Sequence, residues 1–433
     1  MDYEEALARV ESLRRFGPRP GLGRIRALLA RLGNPQDRLN FVHVAGTNGK
    51  GTTCTLIASV LREAGYRTGL YLSPHVSDFR ERMQIDGEMI GKDRFASLAG
   101  RVFPVVGEMA ARGESVAEFE AVTAVALLYF AEQNCDLVVL EVGLGGRFDA
   151  TNVIAAPLVS VLTSISLDHT AILGGTVEQI AFEKCGIVKE GGVTICCPDQ
   201  EPAAEAVIRR IAGERHNRYL NAAAEHVRAV SSDLFGTELD WNGVRLRLPF
   251  LGEHQVQNAA AALAALDVLR GRGLSIPDSA VARGFSGASF PARLEVLSRS
   301  PLVLLDGAHN PGGAAALAAA VRRYLPGREV VAVTGMLADK DVDAVLRNLS
   351  GLFSHVVTVA PNGPRAMSAR ELADRWNRLG ASAEPAAEGE EALQRAAELL
   401  APGGAVVICG SLYLAGDLRE PALKRFGAGS APG

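Results

Sequence analysis

The sequence predicts an α/β protein of two doubly wound units. The first is a P-loop-type parallel sheet with a small antiparallel extension, and the second is a C-terminal Rossmann-like α/β domain. Three observations carry that expectation. Short Val-, Ile- and Leu-rich runs alternate with longer helical stretches, as buried parallel strands alternate with crossover helices. The run Phe41-Val-His-Val-Ala-Gly-Thr-Asn-Gly-Lys-Gly-Thr-Thr53 leads an apolar strand through glycines and a lysine into hydroxyl residues that open a helix. The alternation breaks at residues 219–250 and resumes near residue 300.

Residues 2–32 read as helical, broken in two by Gly17-Pro18 and Pro20-Gly21. Strands are expected at 40–45, 68–72, 136–142, 157–163 and 193–197, with helices near 52–64, 117–133 and 176–188. Alternating pieces such as Val244-Arg-Leu-Arg-Leu248, beside Asn242-Gly243, predict antiparallel strands joined by a tight turn. An alanine-rich helix follows at about 255–270. Four further strands are expected at Val303-Leu-Leu-Asp306, Val330-Val-Ala-Val-Thr334, Val356-Val-Thr-Val359 and Ala405-Val-Val-Ile-Cys409. The boundary falls around 294–300, giving units of residues 1–296 and 297–433. The last residues, Gly427-Ala-Gly-Ser-Ala-Pro-Gly433, read as a mobile tail.

A chain of 433 residues is long enough for two cores. A net charge of −4 gives no electrostatic reason to expect a nucleic-acid partner. The acidic start Met1-Asp2-Tyr3-Glu4-Glu5 lacks the basic and apolar regions of a signal peptide. No apolar run approaches the ~20 residues of a membrane span. Six cysteines, at 54, 135, 185, 196, 197 and 409, form no C-x-x-C pair, and adjacent Cys196 and Cys197 suit a disulfide poorly. Buried, reduced thiols in a cytoplasmic monomer are expected.

The glycine-rich run has the chemistry of a phosphate cradle. Backbone N–H groups at a helix N-terminus face anionic oxygens, and the helix dipole favours the negative charge. Gly46, Gly49 and Gly51 let the backbone turn and approach a ligand. Thr47 and Asn48 lie within the same turn, Lys50 supplies a cation for the outer phosphates, and Thr52 or Thr53 offers a hydroxyl for Mg²⁺. The common pattern would put its first glycine at Val44, and Gly51 separates Lys50 from the hydroxyl. The strand before and the helix after still make nucleoside triphosphate binding the expectation, over a glycine-rich turn with no ligand.

Glu141 ends the strand Leu137-Val-Val-Leu-Glu141, where open α/β sheets gather their ligands. A carboxylate there is costly to bury unless it meets a cation. Ser73 ends another strand and His169 follows a third, so the three can converge on one cation. By residue type alone, His169 reads as a core histidine and Lys184 as a surface or phosphate-pairing lysine.

Seven segments in order resemble the folylpolyglutamate synthase/dihydrofolate synthase family of the Mur ligase group. They are Val44-Ala-Gly-Thr-Asn-Gly-Lys-Gly-Thr52, Ser73-Pro-His75, Glu141-Val-Gly-Leu-Gly-Gly-Arg-Phe-Asp-Ala-Thr-Asn152, Leu167-Asp-His-Thr170, Glu183-Lys-Cys-Gly-Ile187, Gly252-Glu-His-Gln255 with Asn258, and Asp306-Gly-Ala-His-Asn-Pro311. The resemblance implies that Ser73, Glu141 and His169 hold Mg²⁺ and that Lys184 is carbamylated by CO₂. A second Mg²⁺ and a monovalent cation such as K⁺ are also implied. By the same resemblance Asn258 and Asp306 grip the base and ribose of ATP, and Arg293 grips its phosphates. Here Pro291-Ala292-Arg293 stands where the family has Pro-Gly-Arg, and Cys185 stands for a common alanine. His309 either lines the nucleotide cleft or caps a helix.

The acceptor site is expected around the loop from Ser73 to Gly87 and the helix opening at Phe119. Phe119, Glu120 and Thr123 are candidates to hold a pterin, with Phe119 equally readable as core. Arg82 and Arg147 are candidate partners for glutamate carboxylates, and Asp149 joins the substrate group. The implied activity is ATP-dependent addition of L-glutamate to dihydropteroate, to the terminal glutamate of folates, or to both. Folylpolyglutamate synthesis alone is one alternative. A peptidoglycan Mur ligase would carry a further N-terminal domain, for which a cradle beginning about forty residues in leaves no room. A P-loop nucleotide switch would hydrolyse nucleotide without an amino acid.

Overall fold

The computed structural model describes residues 1–13, 20–223 and 226–427. The Gly17-Pro18 break and the tail beyond Gly427 lie outside the described residues. Helices Tyr3–Ser12 and Gly23–Arg31 are the two expected N-terminal pieces.

Eight strands form the first sheet: β1 (Phe41–Ala45), β2 (Thr68–Tyr71), β3 (Met83–Ile85), β4 (Glu88–Met89), β5 (Leu137–Glu141), β6 (Val159–Leu162), β7 (Val193–Cys196) and β8 (Arg218–Asn221). Their order is β4-β3-β2-β5-β1-β6-β7-β8. The ladder from β2 to β8 is parallel, and β3 and β4 join antiparallel at one edge. Alternate side chains leave opposite faces. Val42 and Val44 enter one core with helices Lys50–Glu63 and Glu253–Gly271. Phe41, Val138 and Leu140 enter the other with helices Lys92–Ala111 and Glu118–Glu132.

Several features depart from expectation: β8 overlaps the stretch read as antiparallel but pairs parallel with β7, and helix Pro202–Glu214 precedes it. Ser73–Gly87 is not simply a loop: Phe79–Arg82 form one 3₁₀ turn and Met83–Ile85 are strand β3. Strands of three and two residues are too short to show a period, but Asp86 and Gly87, at φ 54° and 86°, make the two-residue hairpin turn between them. Helix Lys92–Ala111 was not anticipated, and it contains Pro104, a residue that normally ends a helix.

Strands β9 (Val227–Asp233), β10 (Gly236–Trp241) and β11 (Val244–Leu248) form the expected antiparallel extension. Asn242 and Gly243 have φ of 50° and 85°, and Trp241 pairs with Val244 across the turn. Leu239, Leu246 and Leu248 face the first core.

The second sheet contains β12 (Glu295–Arg299), β13 (Leu302–Leu305), β14 (Val330–Thr334), β15 (His355–Thr358), β16 (Ala383–Pro385) and β17 (Ala405–Cys409), in the order β12-β13-β17-β14-β15-β16. The four apolar strands are those expected. The polar edge strands β12 and β16 carry no comparable apolar run. Leu302 and Leu304 enter one core and Val303 and Leu305 the other. The ends of β1, β5 and β6 open onto a cavity of about 320 Å³, whose far wall follows β13.

Candidate active site

The cavity floor is the glycine-rich turn after β1. Helix Lys50–Glu63 starts at the lysine, two residues earlier than expected, with Gly49 as its N-cap at φ 87°. A Cβ at Gly46 would overlap Thr163 Oγ1, and one at Gly49 would overlap Asn258 Oδ1. The turn is therefore held shut against β6 and helix Glu253–Gly271. Thr47 N–H donates to Ser164 O at 2.7 Å, and Lys50 Nζ to Thr47 O at 3.2 Å. Thr52 lines the cavity, whereas Thr53 is fully buried with its hydroxyl unpartnered. Of the two residues, Thr52 is the one that borders the cavity.

Glu141 lies buried at the end of β5 and accepts from Ser73 N–H at 2.8 Å. Burial pushes its carboxyl upward, against the opposing charges of Lys50 and Arg293. Ser73 Oγ is buried with no hydrogen-bond partner. A raised carboxyl and an orphaned hydroxyl side by side are hard oxygen donors suited to Mg²⁺. His169 also lines the cavity. Burial, then the charge of Lys340, lowers its pKa to about 4, so the ring is neutral. Among the described residues no three His, Cys, Asp or Glu side chains gather as a metal cluster, and the serine–glutamate–histidine set contains only two of those types.

Lys184 closes helix Val177–Lys184 and is buried, donating through Nζ to Gly46 O at 2.6 Å. Burial, then the neighbouring charge of Lys50, lowers its pKa to about 7. Much of it is therefore the neutral, nucleophilic amine near neutral pH.

The facing wall comes from the second sheet and from the segment that leads into it before β12. Arg293, Asp306 and His309 line the cavity together with Asn258. Asp306 accepts from Leu294 N–H at 2.9 Å and Ala308 N–H at 2.8 Å. It thereby pins the segment that carries Arg293, in which Ala292 and Leu294 have φ of 55° and 50°. Ala292 thus takes the left-handed conformation that a glycine would adopt freely. The helix cap here is Asn310, whose Oδ1 accepts from Gly313 N–H at 2.8 Å. His309 instead turns Nδ1 to Gly307 O at 2.8 Å and lines the cleft.

Reasoning from sequence missed the contacts that join the two walls. Lys340 Nζ donates to Asp168 Oδ1 at 2.8 Å, and Asn310 Nδ2 donates to Asp168 Oδ2 at 2.9 Å. Asn48 and Asn310 also exchange side-chain amide hydrogen bonds at 3.1 and 3.4 Å. Asp168 stood in a quoted motif without a role. Lys340, in Asp339-Lys-Asp341 beyond β14, carried no signal except a charged triplet after an apolar strand.

The six acceptor candidates do not line the main cavity. Phe119 stands just behind it: a Cβ at Gly143, a lining residue, would lie 2.5 Å from its ring. Thr123 Oγ1 is 3.1 Å from Tyr71 OH. Glu120 accepts from Ala117 N–H and pairs with Arg24. Arg82 is buried, donating to His75 Nδ1 at 3.1 Å. Asp149 is also buried and accepts from Leu144 N–H and from Thr151 N–H and Oγ1. Arg147 is half exposed, between the rings of Phe148 and Phe182.

Two family models match the chain: the Mur ligase middle domain over residues 44–266, and the Mur ligase glutamate ligase domain over residues 292–412. The dihydrofolate synthase/folylpolyglutamate synthase of Bacillus subtilis is 37% identical, with 96% of this chain and 98% of that protein covered. A probable bifunctional folylpolyglutamate synthase/dihydropteroate synthase of Halobacterium salinarum is also 37% identical. It covers 98% of this chain, which spans only 52% of that longer protein. Among solved structures, E. coli FolC in complex with DHPP and ADP superposes with a TM-score of 0.86 at 32% identity, covering 98% of both chains. The Bacillus protein and the E. coli structure each match this chain over nearly their whole length. The chain belongs to the folylpolyglutamate synthase/dihydrofolate synthase family of Mur ligases, ATP-dependent enzymes that form an amide bond to glutamate.

Proposed function

We propose that this chain adds L-glutamate both to dihydropteroate and to the terminal glutamate of tetrahydrofolates, through an acyl phosphate. The observation that carries the reading is one shared cavity between the two units. It joins a phosphate cradle, the buried Glu141 and Lys184, and Arg293, Asp306 and His309 of the facing wall. The double activity in the name of the Bacillus relative, and DHPP beside ADP in the E. coli complex, favour two acceptors over folylpolyglutamate synthesis alone.

A free carboxylate resists amine attack because an oxide would have to leave. Transfer of the γ-phosphoryl group of ATP to the acceptor carboxylate releases ADP and leaves a mixed anhydride. The amine of glutamate attacks its carbonyl, the C–O bond to phosphate breaks, and the amine loses a proton as the amide forms. Lys50, the N–H groups of residues 49–52 at the helix start and Arg293 hold and neutralise the phosphates. Asn258, Asp306 and His309 orient the nucleoside. Ser73, Glu141 and His169 would hold Mg²⁺, which when bound supplies positive charge opposite the transferring phosphoryl oxygens. Closure of the two walls excludes water from the anhydride.

Neutral Lys184 is placed to take up CO₂, its nitrogen forming a carbamate with loss of a proton. That adds an anionic group for a second Mg²⁺, and a K⁺-type cation belongs to the same proposal. Phe119, Thr123, Glu120, Arg82, Arg147 and Asp149 would shape the acceptor side behind Gly143. Because both walls come from one chain, a monomer suffices. All six cysteines are free and buried, which fits a reducing cytoplasm.

The test is ADP release with ATP, Mg²⁺ and L-glutamate, comparing dihydropteroate with tetrahydrofolate and identifying products by mass. Release with both, each gaining one glutamate, is expected. Release with one alone would reduce the proposal to a single synthase. Steady release without any acceptor would replace it with a nucleotide switch.

A further inference from the structure

A second cavity, of about 220 Å³, lies behind the segment that carries Arg293. It is bounded by the β9–β10 turn at Leu234 and Phe235, the residues after β11, the connection from Ala288 to Leu294, and strand β12. Aromatic and aliphatic side chains share its walls with the polar Ser289, Arg293, Glu295 and Arg299. Phe250 is buried, while Phe235 is 56% exposed at the mouth.

The charges around it are unbalanced. Arg299 lies 3.7 Å over the Phe235 ring and makes no ion pair among the described residues. Arg293 also borders the cavity, but its charge faces Asp306 and Glu141, so the unbalanced charge is that of Arg299. The one carboxylate in the lining, Glu295, is already spent: Arg419 grips it at 2.6–3.1 Å, and it accepts from Ala292 N–H at 3.0 Å. An unpaired guanidinium on an aromatic ring at the mouth of a pocket of mixed polar and aromatic lining recognises a flat anion, the ring by stacking and the charge by a hydrogen-bonded pair.

The partition between this cavity and the nucleotide cleft is one ring and one guanidinium thick. Phe290 lines the second cavity, and its ring would lie 2.5 Å from a Cβ at Gly51, in the first turn of the cradle helix. Arg293 lines both cavities and stacks on Phe290, 4.8 Å from the ring centroid.

We propose that this cavity is a second, non-catalytic site for a small aromatic anion, a carboxylate on one or two fused rings, and that its occupancy changes nucleotide affinity through Phe290 and Arg293. Its volume is smaller than that of the nucleotide cleft, about 220 against about 320 Å³, which favours one or two fused rings over a larger ligand. The coupling is reciprocal: a factor imposed on nucleotide affinity returns on the aromatic anion.

The test uses the full chain and 2-naphthoate as probe, by calorimetry, with and without saturating ADP and Mg²⁺. One equivalent is expected to bind in both conditions, with affinities differing several-fold. ADP affinity should shift by the same factor. Arg299→Ala and Phe235→Ala, which leave the nucleotide cleft untouched, should each weaken naphthoate about tenfold or more while ADP alone binds as in the parent. Four results would overturn the proposal: no naphthoate binding, binding that vanishes at saturating ADP, unchanged ADP affinity at saturating naphthoate, or parent-like binding in both variants. None of these readouts requires ligase activity, so they stand apart from the identity of the acceptor.

Discussion

Asp168 and Lys340, 172 positions apart in the chain, form an ion pair at 2.8 Å that ties the two units together above the phosphate cradle. Their side chains are only 11% and 9% exposed. Lys340 holds the Asp168 carboxyl well below its usual range in spite of burial, which pushes it the other way. Asn310 joins the same carboxylate and reaches Asn48 of the glycine-rich turn, so that turn and the interface share one hydrogen-bonded chain.

Lys340→Met would leave Asp168 facing the interface without its cation. Truncating one partner of a buried charge pair costs about 2–5 kcal/mol, so kcat/KM should fall roughly 30-fold or more. Adding Asp168→Asn should recover part of the loss, because no unpaired charge then remains. Steady-state kinetics of both singles and the double checks this, and strict additivity would contradict the coupling.

Gly49→Ala should abolish tight nucleotide binding. The new Cβ overlaps Asn258 Oδ1 at φ 87°, a conformation that costs an L-residue ~1–2 kcal/mol even in open space. ADP titration should show at least tenfold weaker binding, with the far-ultraviolet circular dichroism spectrum retained. Parent-like affinity would mean that the cradle does not hold the nucleotide as described.

Lys184 gives stability a pH dependence of known sign. It loses its proton near pH 7 in the folded chain, against an ordinary value of 10.5. Between those values the unfolded chain binds the extra proton, so stability rises with pH across the window. Lys184→Met lacks this penalty. In CO₂-free buffer the variant should exceed the parent in stability most below pH 7, and the gap should close towards pH 10.5. Urea unfolding at pH 6, 8 and 10 measures it, and a gap that does not vary with pH would refute the shift.

Ala292→Gly should be tolerated. Relief of the left-handed backbone returns ~1–2 kcal/mol, against the entropy of a new glycine, ~0.5–1 kcal/mol, and the loss of one buried methyl. The net change in unfolding free energy should stay within about 1 kcal/mol. A much larger loss would show that the methyl packs more tightly than its cluster suggests.

Local chemistry made much of this legible in the sequence. The cradle is a continuous run, Glu141 is the last residue of an apolar strand, and Asn242-Gly243 demands a hairpin turn. The four apolar strands of the second sheet declare themselves in the same way. What stayed hidden depends on distant partners. Nothing near Lys340 in the chain points to Asp168, and Asp306 shows its hold on Leu294 only once folded. Arg82 looked like any surface arginine until packing buried it against His75. Strands β3 and β4 are too short for a period, and Pro104 disguised a long helix. For Ser73, Glu141, His169 and Lys184, residue type alone left the roles open, and only the ordered family motifs pointed to them.

In the proposed reaction ATP activates the acceptor carboxylate as an acyl phosphate. Acceptor labelled with ¹⁸O in its reacting carboxylate tests it most directly, by the mass of the inorganic phosphate released with ATP, Mg²⁺ and L-glutamate. One ¹⁸O per phosphate is predicted, carried over when the amine displaces the anhydride oxygen. Unlabelled phosphate alongside amide product would contradict the claim.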